Sequence, residues 1–209
     1  MYKKHPVVAV TGSSGAGTTT VKVAFEHIFR REGINPVVVE GDSFHRYDRA
    51  AMKGAIEEFA AKGKQLSHFG PDSNLFDKIE ELFKQYGESG TGAKRYYLHS
   101  DEEAEEHNAS LNTDLNPGQF TPCEDISACT DLLFYEGLHG GCVQNTWSQR
   151  ELGPSHNPLI IKRRRKMQTR EDRGVDIAQW VDLLIGVVPV VNLEWIQKIY
   201  RDSTLKEAS

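Results

Sequence analysis

The stretch HPVVAVTGSSGAGTT (residues 5–19) decides the fold: a short apolar run, a glycine-rich turn, then the start of a helix-period pattern. Residues 12–19 carry the spacing of a phosphate-binding loop, G-x-x-x-x-G-K-[ST], at Gly12, Gly17 and Thr19. Position 18, where that pattern has lysine, is threonine. Backbone N–H groups of such a loop and of the helix that follows attract phosphate oxygens without any side chain. Gly12, Ser13, Ser14, Gly15, Ala16, Gly17, Thr18 and Thr19 are therefore the expected nucleotide-binding loop, with the Thr19 hydroxyl placed for Mg²⁺. The alternative is an ordinary glycine-rich turn that binds nothing, and the strand before and helix after weigh against it. A cation for the γ-phosphate must then come from another part of the chain.

Outward from the loop, Val21, Ala24, Phe25, Ile28 and Phe29 recur at helical spacing between Thr18 and Arg31. Gly33 ends that helix and PVVVE (36–40) reads as a second strand, which completes a βαβ unit of a parallel sheet. The pattern predicts helices over 48–61 and 74–86, the second with Leu75, Ile79, Leu82 and Phe83 on one face. Residues 87–125 are rich in Gly, Asn, Asp, Glu and Pro and read as loop with one short strand at RYYLH. Two more apolar runs follow, DLLFYE (131–136) and DLLIGVVPVV (182–191). A last helix is expected from an N-cap at Asn192, with Leu193, Ile196, Ile199 and Tyr200 as its apolar stripe. The expected fold is α/β: a P-loop NTPase-type, mainly parallel sheet flanked by helices, in a single domain over 1–209.

Composition narrows the function classes. The 209 residues hold 25 Lys plus Arg and 30 Asp plus Glu, a net charge of −5, which gives no push toward nucleic acid or an anionic membrane. No apolar run approaches the roughly 20 residues of a membrane span. The opening MYKKHPVVAV lacks a signal-peptide cleavage pattern, and the three cysteines have no metal-ligand spacing. A reduced, cytoplasmic setting is expected, with neither nucleic acid nor membrane as partner.

Three further segments carry candidate chemistry. Ligands in open α/β sheets bind outside the carboxyl ends of strands. In EGDSFHRYDRAAMK (40–53), Asp42 stands at such an end, placed to accept a hydroxyl proton or orient a metal. His45 follows. Arg49 and Lys53 fall at i and i+4 of a helix, suited to an acceptor that already carries a phosphate, while Arg46 reads as solvated. In DLLFYEGLHG an apolar strand ends in Glu136, the form that delivers a carboxylate to a metal, and His139 reads as a loop histidine with ordinary hydrogen bonds. In VVPVVNLEWIQKIYRD (187–202), Lys198 and Arg201 lie at i and i+3, either as cations that reach phosphate or as a basic last turn favoured by the helix dipole.

GSSGAGTT, EGDSFHR, DLLFYEGLHG and VVPVVNLEWIQKI closely resemble the phosphoribulokinase family in its proteobacterial form, over about residues 1–144 and 175–202. EGDSFHR discriminates: uridine kinases share the loop and the aspartate but usually follow with tyrosine rather than histidine. The resemblance implies transfer of the γ-phosphate of ATP, with Mg²⁺, to the 1-hydroxyl of ribulose 5-phosphate, a step of the Calvin cycle. It implies Asp42 as catalytic base, Glu136 as metal-associated acid, and His45, Arg49 and Lys53 as contacts to the sugar phosphate. His99, in YYLHSDEEA, and Arg201 join the expected substrate-binding set, and Thr19, Asp42 and Glu136 the metal-binding one. The proteobacterial form also lacks the loop lysine, so Lys198 is expected to bring that charge from across the cleft. The cysteines of the plant form's thiol switch are missing from these stretches. NADH is implied as effector, with Arg31 in the place of an effector-linked arginine, and a homo-oligomer is expected.

Two stretches depart from the family pattern. Residues 145–174 read as a loop insert, whose KRRRK (162–166) is expected to be a solvated basic run. The sequence stops at Ser209 where the family continues, which is expected to leave sheet edge and apolar surface uncovered and to slow turnover. The alternatives are a uridine kinase-like enzyme, or a non-catalytic nucleotide-binding fragment.

Overall fold

In chain order the elements are β1 (Val7–Gly12), α1 (Thr18–Glu32), β2 (Pro36–Glu40), a 3₁₀ turn (Gly41–Phe44), α2 (Arg49–Ala61), α3 (Phe76–Ser89), β3 (Ala93–Lys94), α4 (Asp101–Leu111), β4 (Glu124–Asp125), β5 (Leu132–Glu136), a second 3₁₀ turn (Ile177–Trp180) and β6 (Leu183–Val187). They come from a computed structural model that describes residues 4–127, 129–142, 175–188, 196 and 199. The expected insert at 145–174 and most of the expected last helix, including Lys198 and Arg201, lie outside the described residues.

The four apolar runs form one sheet in the order β2-β5-β1-β6, and every neighbouring pair is parallel. β1, β2 and β5 are short and apolar on both faces because helices cover both sides, whereas Leu183 and Leu184 of the edge strand β6 are half exposed. On one face Val7, Ala9, Val37, Val39, Leu133 and Tyr135 pack against the α3 stripe Phe76, Ile79, Leu82, Phe83 and Tyr86. On the other face Val8, Val10 and Phe134 meet Phe29, with Val21 and Phe25 beside it. The Phe25 and Phe29 rings lie 5.2 and 5.3 Å from the Phe134 ring. This is the expected P-loop architecture, with α1 on one layer and α3 on the other.

Two acids fix the strand starts. Asp182 Oδ2 accepts from Val7 N–H at 2.8 Å, pinning β6 to β1. Asp131 Oδ2 accepts from Asn35 N–H at 2.7 Å, pinning β5 to β2. With the starts held level, the carboxyl ends are level too: Glu40 pairs in register with Glu136, and Val10 with the same residue.

Three expectations need correction. Ala24 and Ile28 are exposed, because the α1 stripe that faces the sheet is Val21, Phe25 and Phe29 at i, i+4 and i+8. RYYLH is not a strand; it makes an isolated bridge between Tyr97 and Phe120. Within the stretch read as loop, residues 101–111 form the helix α4. That helix buries only Ala104 and so has no apolar stripe to betray it.

Candidate active site

The carboxyl ends of β1, β2 and β5 open onto a cavity of about 520 Å³. Gly12, Ser13, Ser14, Gly15, Thr18 and Thr19 line one side; Asp42, His45 and His99 line another; Glu40 and Glu136 are also on the wall. Ala16 is buried beneath the loop. Gly17 caps α1 with φ 93°, a left-handed conformation that favours glycine, and brings no side chain of its own to the first N–H groups of the helix. Those donors face a loop shaped for an anion.

The missing lysine has a local explanation. The Thr18 side chain stands beside the Glu136 carboxylate and favours its charged form, so the residue in the lysine's place serves the acid of β5. One helical turn on, Lys22 is 19% exposed and its Nζ lies 2.5 Å from Glu40 Oε1. Burial pulls the Lys22 ammonium down, but Glu40, Glu26 and Glu136 outweigh it and the net direction is up. Burial raises the Glu136 carboxyl, against the opposing pull of Thr18 and Lys22. Neither Lys22 nor Glu40 stood out in the sequence. The signals available were the i+4 step from Thr18 and a strand that ends in an acid.

Asp42 sits in the 3₁₀ turn that follows β2. Arg95 holds the turn from outside, with Nε donating to Ser43 O and Nη2 to His45 O, each at 2.8 Å. The Arg95 guanidinium itself lies 3.8 Å over the Phe120 ring. Two histidines flank the carboxylate: His45 Nε2 is 3.2 Å from Asp42 Oδ1 and His99 Nε2 is 3.6 Å from Asp42 Oδ2. His99 is oriented through its backbone N–H, which donates to Glu103 Oε2 at 2.7 Å at the start of α4. His139 lines the cavity and makes the ordinary contact expected of it, with Nε2 3.2 Å from Phe69 O.

The hydrogen bond from His45 holds the Asp42 carboxyl below its ordinary value of 3.8. Burial pulls the His45 imidazole down, but the hydrogen bond and charge of Asp42, with a bond to Asn74, outweigh it and raise it above 6.5. A depressed acid contributes stability that is present above pH 3.8 and lost as pH falls through its folded pKa. A raised imidazole contributes stability that is full below pH 6.5 and lost as pH rises through its folded pKa. The pair therefore stabilises the fold between those limits. Thermal melts across pH should show a shallower fall on both flanks for His45→Gln than for the unaltered protein. Superimposable profiles would remove the pair from the stability of the turn.

Arg49 and Lys53 are exposed on α2 and stand outside the cavity wall. Arg49 Nη2 reaches His99 O at 3.5 Å, so its guanidinium lies beside the His99 segment. Arg46 turns away and donates to Asp72 O at 3.2 Å. Among the described residues no three His, Cys, Asp or Glu side chains form a protein-only metal cage. The hard oxygens of Thr19, Asp42 and Glu136 fit Mg²⁺, which binds through one or two carboxylates and completes its shell with phosphate and water.

A parallel sheet with a glycine loop at one strand end, a carboxylate on the next and a second acid beyond it defines a P-loop kinase architecture. The chain belongs to the phosphoribulokinase / uridine kinase family, whose model matches residues 7–153 and 167–206. A chromosomal phosphoribulokinase of Cupriavidus necator is 50% identical over 203 residues, covering 97% of this chain and 58% of that protein. A probable phosphoribulokinase of Escherichia coli is 47% identical over 204 residues, covering 98% and 59%. The solved phosphoribulokinase from Rhodobacter spheroides superimposes with a TM-score of 0.68 at 41% identity, covering 97% of this chain and 58% of that one. The chain thus spans less than two thirds of the length of these relatives. The family match pauses over residues 154–166, inside the stretch read as an insert. No helix among the described residues is long and apolar enough to cross a membrane.

Proposed function

We propose that this protein transfers the γ-phosphate of ATP to the 1-hydroxyl of ribulose 5-phosphate, giving ribulose 1,5-bisphosphate. The observation that carries the reading is Asp42: a carboxylate at a strand end, flanked by two histidines, in one cavity with the phosphate loop. The names of relatives at 45–50% identity support the choice of acceptor. The loop N–H groups hold the nucleotide phosphates, and Asp42 accepts the proton of the attacking hydroxyl. Thr19, Asp42 and Glu136 would hold Mg²⁺, which when bound neutralises charge on the phosphates. Lys198 is assigned the cation that the loop lacks, and Arg201, Lys53 and His99 contacts to the sugar phosphate. The same reading takes NADH as effector through Arg31, an exposed side chain paired with Glu32. It also takes a homo-oligomer as the working form and the cytoplasm as its place.

The direct test is ADP release by the intact protein with ribulose 5-phosphate and, separately, with uridine. Turnover with the first alone is expected; faster turnover with uridine would overturn the acceptor. Arg49→Ala should raise KM for ribulose 5-phosphate by about tenfold or more while leaving KM for ATP nearly unchanged, because a charge-assisted contact is worth about 1.5–3 kcal/mol. Equal effects on both substrates would make Arg49 a structural residue, held against Gly118 and His99.

A further inference from the structure

Asn74 lies just before α3 and is 2% exposed. Every polar atom of its side chain is engaged. Nδ2 donates to His68 O at 2.7 Å and to Gly70 O at 2.9 Å. Backbone carbonyls only accept, so these two bonds establish which end of the amide is nitrogen. Oδ1 therefore faces His45 Nδ1, 2.8 Å away. An amide oxygen also only accepts, so His45 Nδ1 carries a hydrogen. A half-turn of the imidazole would put a ring carbon against Oδ1 and leave a buried acceptor unpaired, which is unfavourable. The ring is thus held with Nε2 toward Asp42, 3.2 Å from Oδ1.

The surrounding backbone is tied separately. His45 and Asn74 form an antiparallel bridge, Leu75 N–H donates to Phe44 O at 2.9 Å, and Arg95 takes the His45 carbonyl. These contacts place the chain but leave the imidazole free to rotate. The same amide that orients the ring also organises residues 68–70, which bring His68 and Phe69 to the cavity wall.

We propose that Asn74 is a positioning residue: its buried amide sets which edge of His45 meets Asp42 and couples that ring to the turn at residues 68–70. The proposal rests on the reading of Asp42 as the base given above, and its test has an arm that does not depend on activity. Nitrogen–proton correlation spectra of the His45 ring in the intact protein should show a protonated, hydrogen-bonded Nδ1, and that signal should vanish in Asn74→Leu. The variant should lose kcat by roughly tenfold or more, on the scale expected when a group beside the reacting atoms is misplaced, with KM for ATP within about twofold. An Nδ1 without a proton in the unaltered protein overturns the proposal even if the variant does not fold. So does a folded Asn74→Leu whose ring signal and kcat are unchanged. If the intact protein phosphorylates no sugar at all, the functional reading fails while the ring spectra still decide the role of Asn74.

Discussion

Asp42→Asn should lower kcat by roughly 10²–10⁴-fold, the usual worth of a positioned general base, with KM for ATP nearly unchanged. The substitution keeps the shape of the side chain and an oxygen to accept from His45. It removes the proposed proton acceptor and one negative charge. The loop at residues 12–19 lies on a different strand from Asp42, and Thr19 and Glu136 remain to meet Mg²⁺, so on the proposed function KM for ATP should change far less than kcat. Steady-state kinetics with each substrate varied in turn separate the two effects. Turnover within about threefold of the unaltered enzyme would remove Asp42 from the proton-transfer step and point to a neighbour in the same cavity.

The second large effect is expected from a methyl group. A Cβ on Gly137 would lie 2.8 Å from Gly41 Cα, 2.9 Å from Tyr135 Oη and 3.1 Å from Gly41 N. A Cβ on Gly41 would in turn meet Tyr135 Oη at 2.6 Å and Gly137 Cα at 3.1 Å. The obstacle is backbone and a fully buried tyrosine, and neither can swing aside. Gly41 precedes Asp42 and Gly137 follows Glu136, so relief of the clash moves both acids at once. Overpacking of this kind costs about 1–3 kcal/mol, and a shift of about 1 Å at reacting groups can cost on the order of 10²-fold in rate. Gly137→Ala should therefore lose about 10²-fold in kcat and melt a few degrees lower, roughly 2–4 °C for each kcal/mol in a chain of this size. Calorimetry and kinetics on the same sample check both. A variant with the original Tm and kcat would show that β2 and β5 can part at no cost.

How much of this was legible in the sequence depended on how local the cause was. The βαβ unit was readable because each piece carries its own signal: apolar runs at 7–12 and 36–40, glycine at 17 and 33, and a stripe between them. Asp42, His45, His99 and Glu136 were found through motifs, and the structure brings all four to the cavity with the loop. Lys22, Glu40, His68 and Asn74 were not found. Lys22 is one charge on a helix, and its place beside Glu40 follows from the fold of α1 back over the sheet. Asn74 sits at the end of a polar loop whose partners are carbonyls, which no spacing rule marks. The helix α4 had one usable signal. Ser100 accepts from the Glu103 N–H at 3.3 Å, a Ser-x-x-Glu start in which Glu103 reaches back to His99. Without an apolar face behind it, that start went unread.

The near-absence of burial in α4 has a consequence for how the cavity is entered. Segments of a folded chain open locally at a free energy set by what each buries, and ligand gates come from the low end of that scale. The sheet and α3 lie at the high end, with Phe83, Tyr86, Leu133 and Tyr135 each wholly enclosed. α4 contributes only Ala104 to any interior, yet its first turn anchors His99 beside Asp42. The phosphate loop is thus mounted on the part of the molecule whose amide hydrogens should exchange last. His99 is tied to a part that should exchange them early. On the proposed function, the sugar phosphate should enter and the product leave by local opening at residues 99–111, with the sheet and α3 staying closed.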